Sequence, residues 1–123
     1  MRLTAITLDC PDPPALAAFY ACATGLPLHD ASGVDFAGLV GAGGLLLGFQ
    51  RVDDYEPPRR PGQSVPQQIH LDFAVDDLDA AERRLLELGA GKPESQPGGD
   101  RWRVLTDLAG HPFCLTLAKA ERT

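Results

Sequence analysis

The sequence predicts an α+β fold built from two copies of one unit, each a strand, a helix and three strands. Three observations carry that prediction. Two amphipathic helix patterns, each with a start and a stop signal, follow a β-rich stretch: "LTAITL" before "DPPALAAFYACATG", and "QIHLDFAV" before "DDLDAAERRLLELG". After each helix come three short apolar runs separated by turn residues. A Pro-rich stretch, "DDYEPPRRPGQSVP", divides the two series.

The first strand alternates and is rich in β-branched residues. Asp12 serves as N-cap of the first helix, Pro13 occupies its first turn and Gly25 stops it, with Leu16, Phe19, Tyr20 and Ala23 on one face. "LPLHD", "VDFAGLV" and "GLLLGFQRV" are the next three strands. In the second half a D-x-x-E box at Asp79 and Glu82 starts the helix, Leu78, Ala81, Leu85 and Leu88 form its apolar line, and Gly89 ends it. "AGKPES", "RWRVLTD" and "HPFCLTLA" complete the unit. The expected organisation is one domain, residues 1–123: module one about 1–52, a connector 53–67 and module two about 68–119. A half alone leaves a sheet face uncovered, so the two modules are expected to pair their sheets around a shared cavity. The connector is expected to be a plain link; the alternative is a lid carrying Tyr55, Arg59 and Arg60.

A chain of 123 residues with net charge −6 and scattered basic residues is a poor partner for a nucleic-acid backbone. No apolar run reaches spanning length and the N-terminus lacks a signal-peptide core, so no membrane association and a cytoplasmic location are expected. Cys10, Cys22 and Cys114 are odd in number and form no C-x-x-C pair, which reads as buried thiols in a reducing compartment. "GAGGLLLG" runs into a strand and has no following helix or Lys, so it is not a phosphate loop.

His70 and Asp72 stand two apart on one strand and so share a face. An unpaired inward carboxylate is costly, so Asp72 must find a partner, with Arg101 and Arg103 as candidates, or reach the rim. A carboxylate beside His70 fixes its tautomer, and the pair could also act as a general base. The other candidate ligand-binding residues are Gln50, Phe49, Trp102 and Arg103, with Phe36, Leu47 and Phe73 as further apolar walls.

The pieces "DPPALAAFYACATGLPL", "HLDFAVDDLDAAERRLLELGA" and "DLAGHPFCL", in this order, resemble the vicinal oxygen chelate superfamily: glyoxalase I, extradiol dioxygenases, fosfomycin-resistance enzymes and bleomycin-resistance proteins. "FQRV" and "PQQ-x-HLD" are similar to small glyoxalase-like domain proteins. In metal-dependent members, the resemblance implies, a residue from the first and last strand of each half converges on a divalent ion. The repeat puts those positions at Ala5, Gly48, His70 and Cys114, where only His70 matches the family pattern and Cys114 could add a thiol. A catalytic site needs about three protein ligands, so no bound cofactor or metal is expected. The resemblance implies a metal-independent protein that binds a small organic ligand, in the manner of bleomycin-resistance proteins, as a homodimer. The alternative is a lyase or dioxygenase that uses a metal or the His70–Asp72 pair.

Overall fold

The computed structural model describes residues 1–59 and 62–118; Arg60 and the end of module two at 119 lie outside the described residues. The chain divides into two compact units, Met1–Glu56 and Pro57–Thr123, so the division falls inside the proline-rich connector.

The first unit contains β1 (Ala5–Cys10), α1 (Pro13–Thr24), β2 (Phe36–Val40) and β3 (Leu46–Arg51). Its sheet has the order β1-β3-β2, with β1 parallel and β2 antiparallel to the central β3. The second unit repeats this with β4 (Leu71–Val75), α2 (Leu78–Glu87), β5 (Trp102–Thr106) and β6 (Pro112–Leu117), in the order β4-β6-β5. Its registers match: Thr7 pairs with Gly48 in the first sheet as Asp72 pairs with Cys114 in the second. Gly38 opposes Gly48 as Val104 opposes Cys114.

The α1 caps follow the sequence. The Asp12 carboxylate accepts from the Ala15 N–H, and Gly25 adopts a left-handed φ of 76° that a Cβ would strain. Leu16, Phe19 and Tyr20 are buried, and Tyr20 stacks on Phe49 at 5.6 Å, but Ala23 is exposed. In α2 the capping carboxylate belongs to Asp77, which accepts from the Ala80 N–H. The expected box at Asp79 and Glu82 is not the cap, because both carboxylates turn to Arg103.

In each unit the first strand expected after the helix shrinks to a single bridge: Leu28 to Leu39, and Gly91 to Thr106. Pro27 and Pro93 stand beside these bridges and lack the N–H a longer ladder needs. A side chain then completes each sheet edge. Ser32 Oγ accepts from the Gly38 N–H at 3.0 Å and lies 3.5 Å from its carbonyl oxygen. Gln96 does the same for Val104, accepting from its N–H at 2.9 Å and donating to its carbonyl at 2.8 Å.

Candidate functional site

Side chains alternate across a strand, so each sheet has two faces with different tasks. In the second sheet the odd-numbered residues face the core. Leu105, Phe113 and Leu115 are buried, and Phe73 meets Phe113 edge-on at 5.8 Å. Arg103 lies on this face too, where its guanidinium donates to Asp79 at 2.8 Å and Glu82 at 2.7 Å. Hydrogen bonds from Arg103 hold the Asp79 carboxyl below its ordinary value, and Glu82 is held down first by Lys92 and then by Arg103, against the opposing effect of burial.

The even-numbered face carries the site. His70, Asp72, Trp102, Val104, Pro112, Cys114 and Thr116, together with Gln67 and Pro97, line a pocket of about 280 Å³. His70 stands immediately before β4, and its Nδ1 lies 3.3 Å from the Asp72 Oδ1. Both side chains are about half exposed, 42% and 55%, so Asp72 both pairs with His70 and keeps contact with water. Cys114 is partly buried beside them, because β6 pairs Cys114 directly with Asp72. One ligand atom from each of His70, Asp72 and Cys114 lies within 4.8 Å of the other two.

Trp102 walls the pocket and is held from two directions. Its ring packs so closely on Gly98 that a Cβ there would come within 2.3 Å, and the Arg101 guanidinium lies 5.2 Å from the ring centre. Gln67 ends the proline-rich stretch, whose Pro57 packs against Gly110 and whose Arg59 N–H donates to the Val65 carbonyl. The described part of that stretch beyond Glu56 therefore belongs to the second unit and supplies a pocket residue.

Of the expected ligand-binding residues, His70, Asp72 and Trp102 come together in this pocket. Arg103 does not join them, because alternation puts it on the opposite face, where α2 supplies its carboxylates. Phe73 lies on that opposite face as well. Phe49 is fully buried against Tyr20 in the first unit, so it is a core residue and not a pocket wall. Leu47 shares the Phe49 side of β3. Gln50 is exposed on the first sheet's other face, where its amide lies 3.4–3.5 Å from the carbonyl oxygens of Arg51 and Asp35. Cys22, expected to be buried, is exposed on α1.

Ala5 and Gly48 offer no donor, which leaves His70 and Cys114 of the four positions that the resemblance marked for a metal. Asp72, expected as a ligand-binding residue beside His70 and not as a metal ligand, adds a third donor. The signal that would have found it is the β4–β6 register. An imidazole, a carboxylate and a thiol suit a zinc-like ion, and three is the ligand number of an open catalytic site. By donor count and spacing, the residues fit a divalent metal.

Solved structures with the same fold span nearly the whole chain. The fosfomycin resistance protein FosX from Listeria monocytogenes, in complex with manganese(II) and a dihydroxypropylphosphonic acid, is 20% identical (TM-score 0.72; 98% of this chain and 95% of that one covered). A glyoxalase/bleomycin resistance protein/dioxygenase family enzyme from Burkholderia phytofirmans is 19% identical (TM-score 0.70; 97% and 100%). TioX from Micromonospora is 22% identical (TM-score 0.60; 97% and 100%). These likenesses define the fold class, that of the glyoxalase, bleomycin resistance and dioxygenase proteins. A family model described as "Glyoxalase-like domain" matches residues 5–116, and the chain belongs to that family. No curated protein matches it. Among the described residues, no helix is long and apolar enough to cross a membrane.

Proposed function

We propose that the chain binds a small, flat organic molecule on the even-numbered face of the second sheet and acts by sequestering it, as a homodimer in the cytoplasm. The observation that carries this reading is the pairing of His70 with Asp72 at 3.3 Å inside a pocket whose apolar walls are Trp102, Pro97, Val104 and Pro112. Ligand sites combine apolar walls with a few polar groups that fix orientation. His70 turns its Nδ1 to the Asp72 carboxylate at 3.3 Å, so the other ring nitrogen is the one we assign to a hydrogen bond with the ligand. Trp102 is the chain's single tryptophan, so its emission reports on this pocket alone. A ligand screen read by Trp102 emission should find saturable quenching that weakens at least about tenfold in His70→Ala, the cost of one lost hydrogen bond to a polar anchor. Quenching unchanged by His70→Ala would sink the reading.

A second reading, a metal-using enzyme, is favoured by the three converging donors. His70, Asp72 and Cys114 would hold the ion, and a bound divalent ion polarises a substrate oxygen. FosX, with manganese(II) in its complex, is the comparison that lends it weight. Elemental analysis of purified protein, with melting curves in zinc or manganese, separates the two readings. Near-stoichiometric metal and a melting shift lost in His70→Ala would select the enzyme.

A further inference from the structure

We propose that Gly98 is the specificity-determining residue of this pocket: it holds the Trp102 indole in one position, and the fixed ring makes the site select a planar conjugated ring over a buckled ring of the same size. The proposal deepens the ligand-binding reading and rests on it. Gly98 is buried in the otherwise exposed stretch 97–101. A Cβ at Gly98 would lie 2.3 Å from Trp102 Cδ2 and 2.5 Å from Cε2 and Cγ, closer than real Cβ atoms come to a neighbour. Three adjacent ring atoms at nearly equal distance set the glycine against the body of the indole, not against one rim atom. The backbone does not demand glycine here, since Gly98 lies outside the left-handed region that Gly99 occupies at φ 57°. Its identity answers to the ring.

The backbone on either side is tied in place. The Gly98 carbonyl accepts from the Arg101 N–H at 3.0 Å, and the Gly99 N–H donates to the Gln96 carbonyl at 3.3 Å. Gln96 is in turn bonded to both backbone groups of Val104 and to the Pro93 carbonyl. The Arg101 guanidinium, 5.2 Å from the ring centre, adds a looser hold from an exposed residue. Trp102 and Pro97 therefore present a wall whose shape is set before a ligand arrives, which saves the ordering cost that a mobile ring would incur on binding. A held aromatic wall favours a flat partner, offset-stacked or edge-on, whereas a buckled ring of equal size touches it at few atoms. A loose indole would adapt to both shapes.

N-phenylsuccinimide and N-cyclohexylsuccinimide test the proposal, since they share the imide and differ in a flat against a buckled ring. Dissociation constants are read from NMR titrations at the Thr116 amide, in the wild type and in Gly98→Ala, Gly99→Ala and Trp102→Leu, each checked for folding by circular dichroism. The wild type should bind the phenyl compound about three- to tenfold more tightly, the range expected for one aromatic pair. Gly98→Ala should bring that ratio to about one and shift Trp102 emission before any ligand is added. Gly99→Ala, whose Cβ meets open space, leaves the ring untouched and should keep the ratio. Trp102→Leu should lose it, and adding Gly98→Ala to Trp102→Leu should lower it no further. A ratio that survives in Gly98→Ala or in Trp102→Leu, or that falls equally in Gly99→Ala, would overturn the proposal. Binding of both compounds to the wild type without preference overturns the role of Gly98 and leaves the pocket standing. Binding of neither removes both.

Discussion

The two sheets share their strand order, registers and edge closure, yet only the second carries a concentrated set of donors. At corresponding positions the first sheet has Ala5, Thr7, Phe36, Gly38 and Gly48, and the second has His70, Asp72, Trp102, Val104 and Cys114. In the first, large neighbours lie over the glycines. A Cβ on Gly48 would meet the Phe36 ring at 2.8 Å and Thr7 Oγ1 at 2.9 Å, and one on Gly38 would meet Leu46 at 2.9 Å. In the second, the same positions carry side chains and border a pocket. A duplicated scaffold can thus keep its backbone plan in both copies while one face fills and the other opens.

The helix-facing sides are expected to be equivalent, which gives the largest effect. Phe49→Ala and Phe113→Ala each remove a fully buried ring and should each cost about 3–5 kcal/mol in urea unfolding. A loss below about 1 kcal/mol in either would mean that one unit lacks a true core.

The open faces should differ. Gly48→Ala must displace Phe36 or Thr7 and should destabilise by about 1–3 kcal/mol. Cys114→Ala should cost about 1 kcal/mol or less, because Cys114 lines the pocket and is only partly buried. Equal costs would erase the asymmetry.

The edges sharpen the comparison further. Gln96 satisfies both backbone groups of Val104 and also donates to the Pro93 carbonyl, so Gln96→Ala should cost about 1–2 kcal/mol and disturb the Pro97 wall. Ser32→Ala removes a single short bond at Gly38 and should cost about 0.5–1 kcal/mol. Paired melting curves decide the order.

The smallest effect concerns pH. Asp79 and Glu82 titrate below their ordinary values of 3.8 and 4.5, so their stabilisation is complete above that range and disappears as pH falls through the lower folded values. Arg103→Met should therefore lower the melting temperature at pH 7, and that difference should shrink progressively as pH falls below the ordinary values of 3.8 and 4.5. A difference that does not change with pH across this range would assign the effect of Arg103 to packing.

Much of this was legible in the sequence because it depends on periodicity and punctuation. Asp12, Gly25 and the alternation of β3 and β6 place their elements directly. Three things were not legible. Prolines at 27 and 93 cut two strands to single bridges, and the substitute pairing by Ser32 and Gln96 is a tertiary contact. The D-x-x-E spacing at Asp79 and Glu82 fits a cap equally well, but a cation on the next strand, Arg103 of β5, claims both carboxylates. Parity showed that His70 and Asp72 share a face and that Trp102 opposes Arg103. It could not bring Cys114 to them, since that requires the β4–β6 register.

The central claim is that the His70–Asp72–Cys114 face of the second sheet is the ligand site. Its most direct test is an amide and side-chain NMR titration of the labelled chain with N-phenylsuccinimide. The account predicts saturable shifts at His70, Asp72, Trp102 and Thr116, lost in His70→Ala. Binding that leaves these four residues unmoved would contradict it.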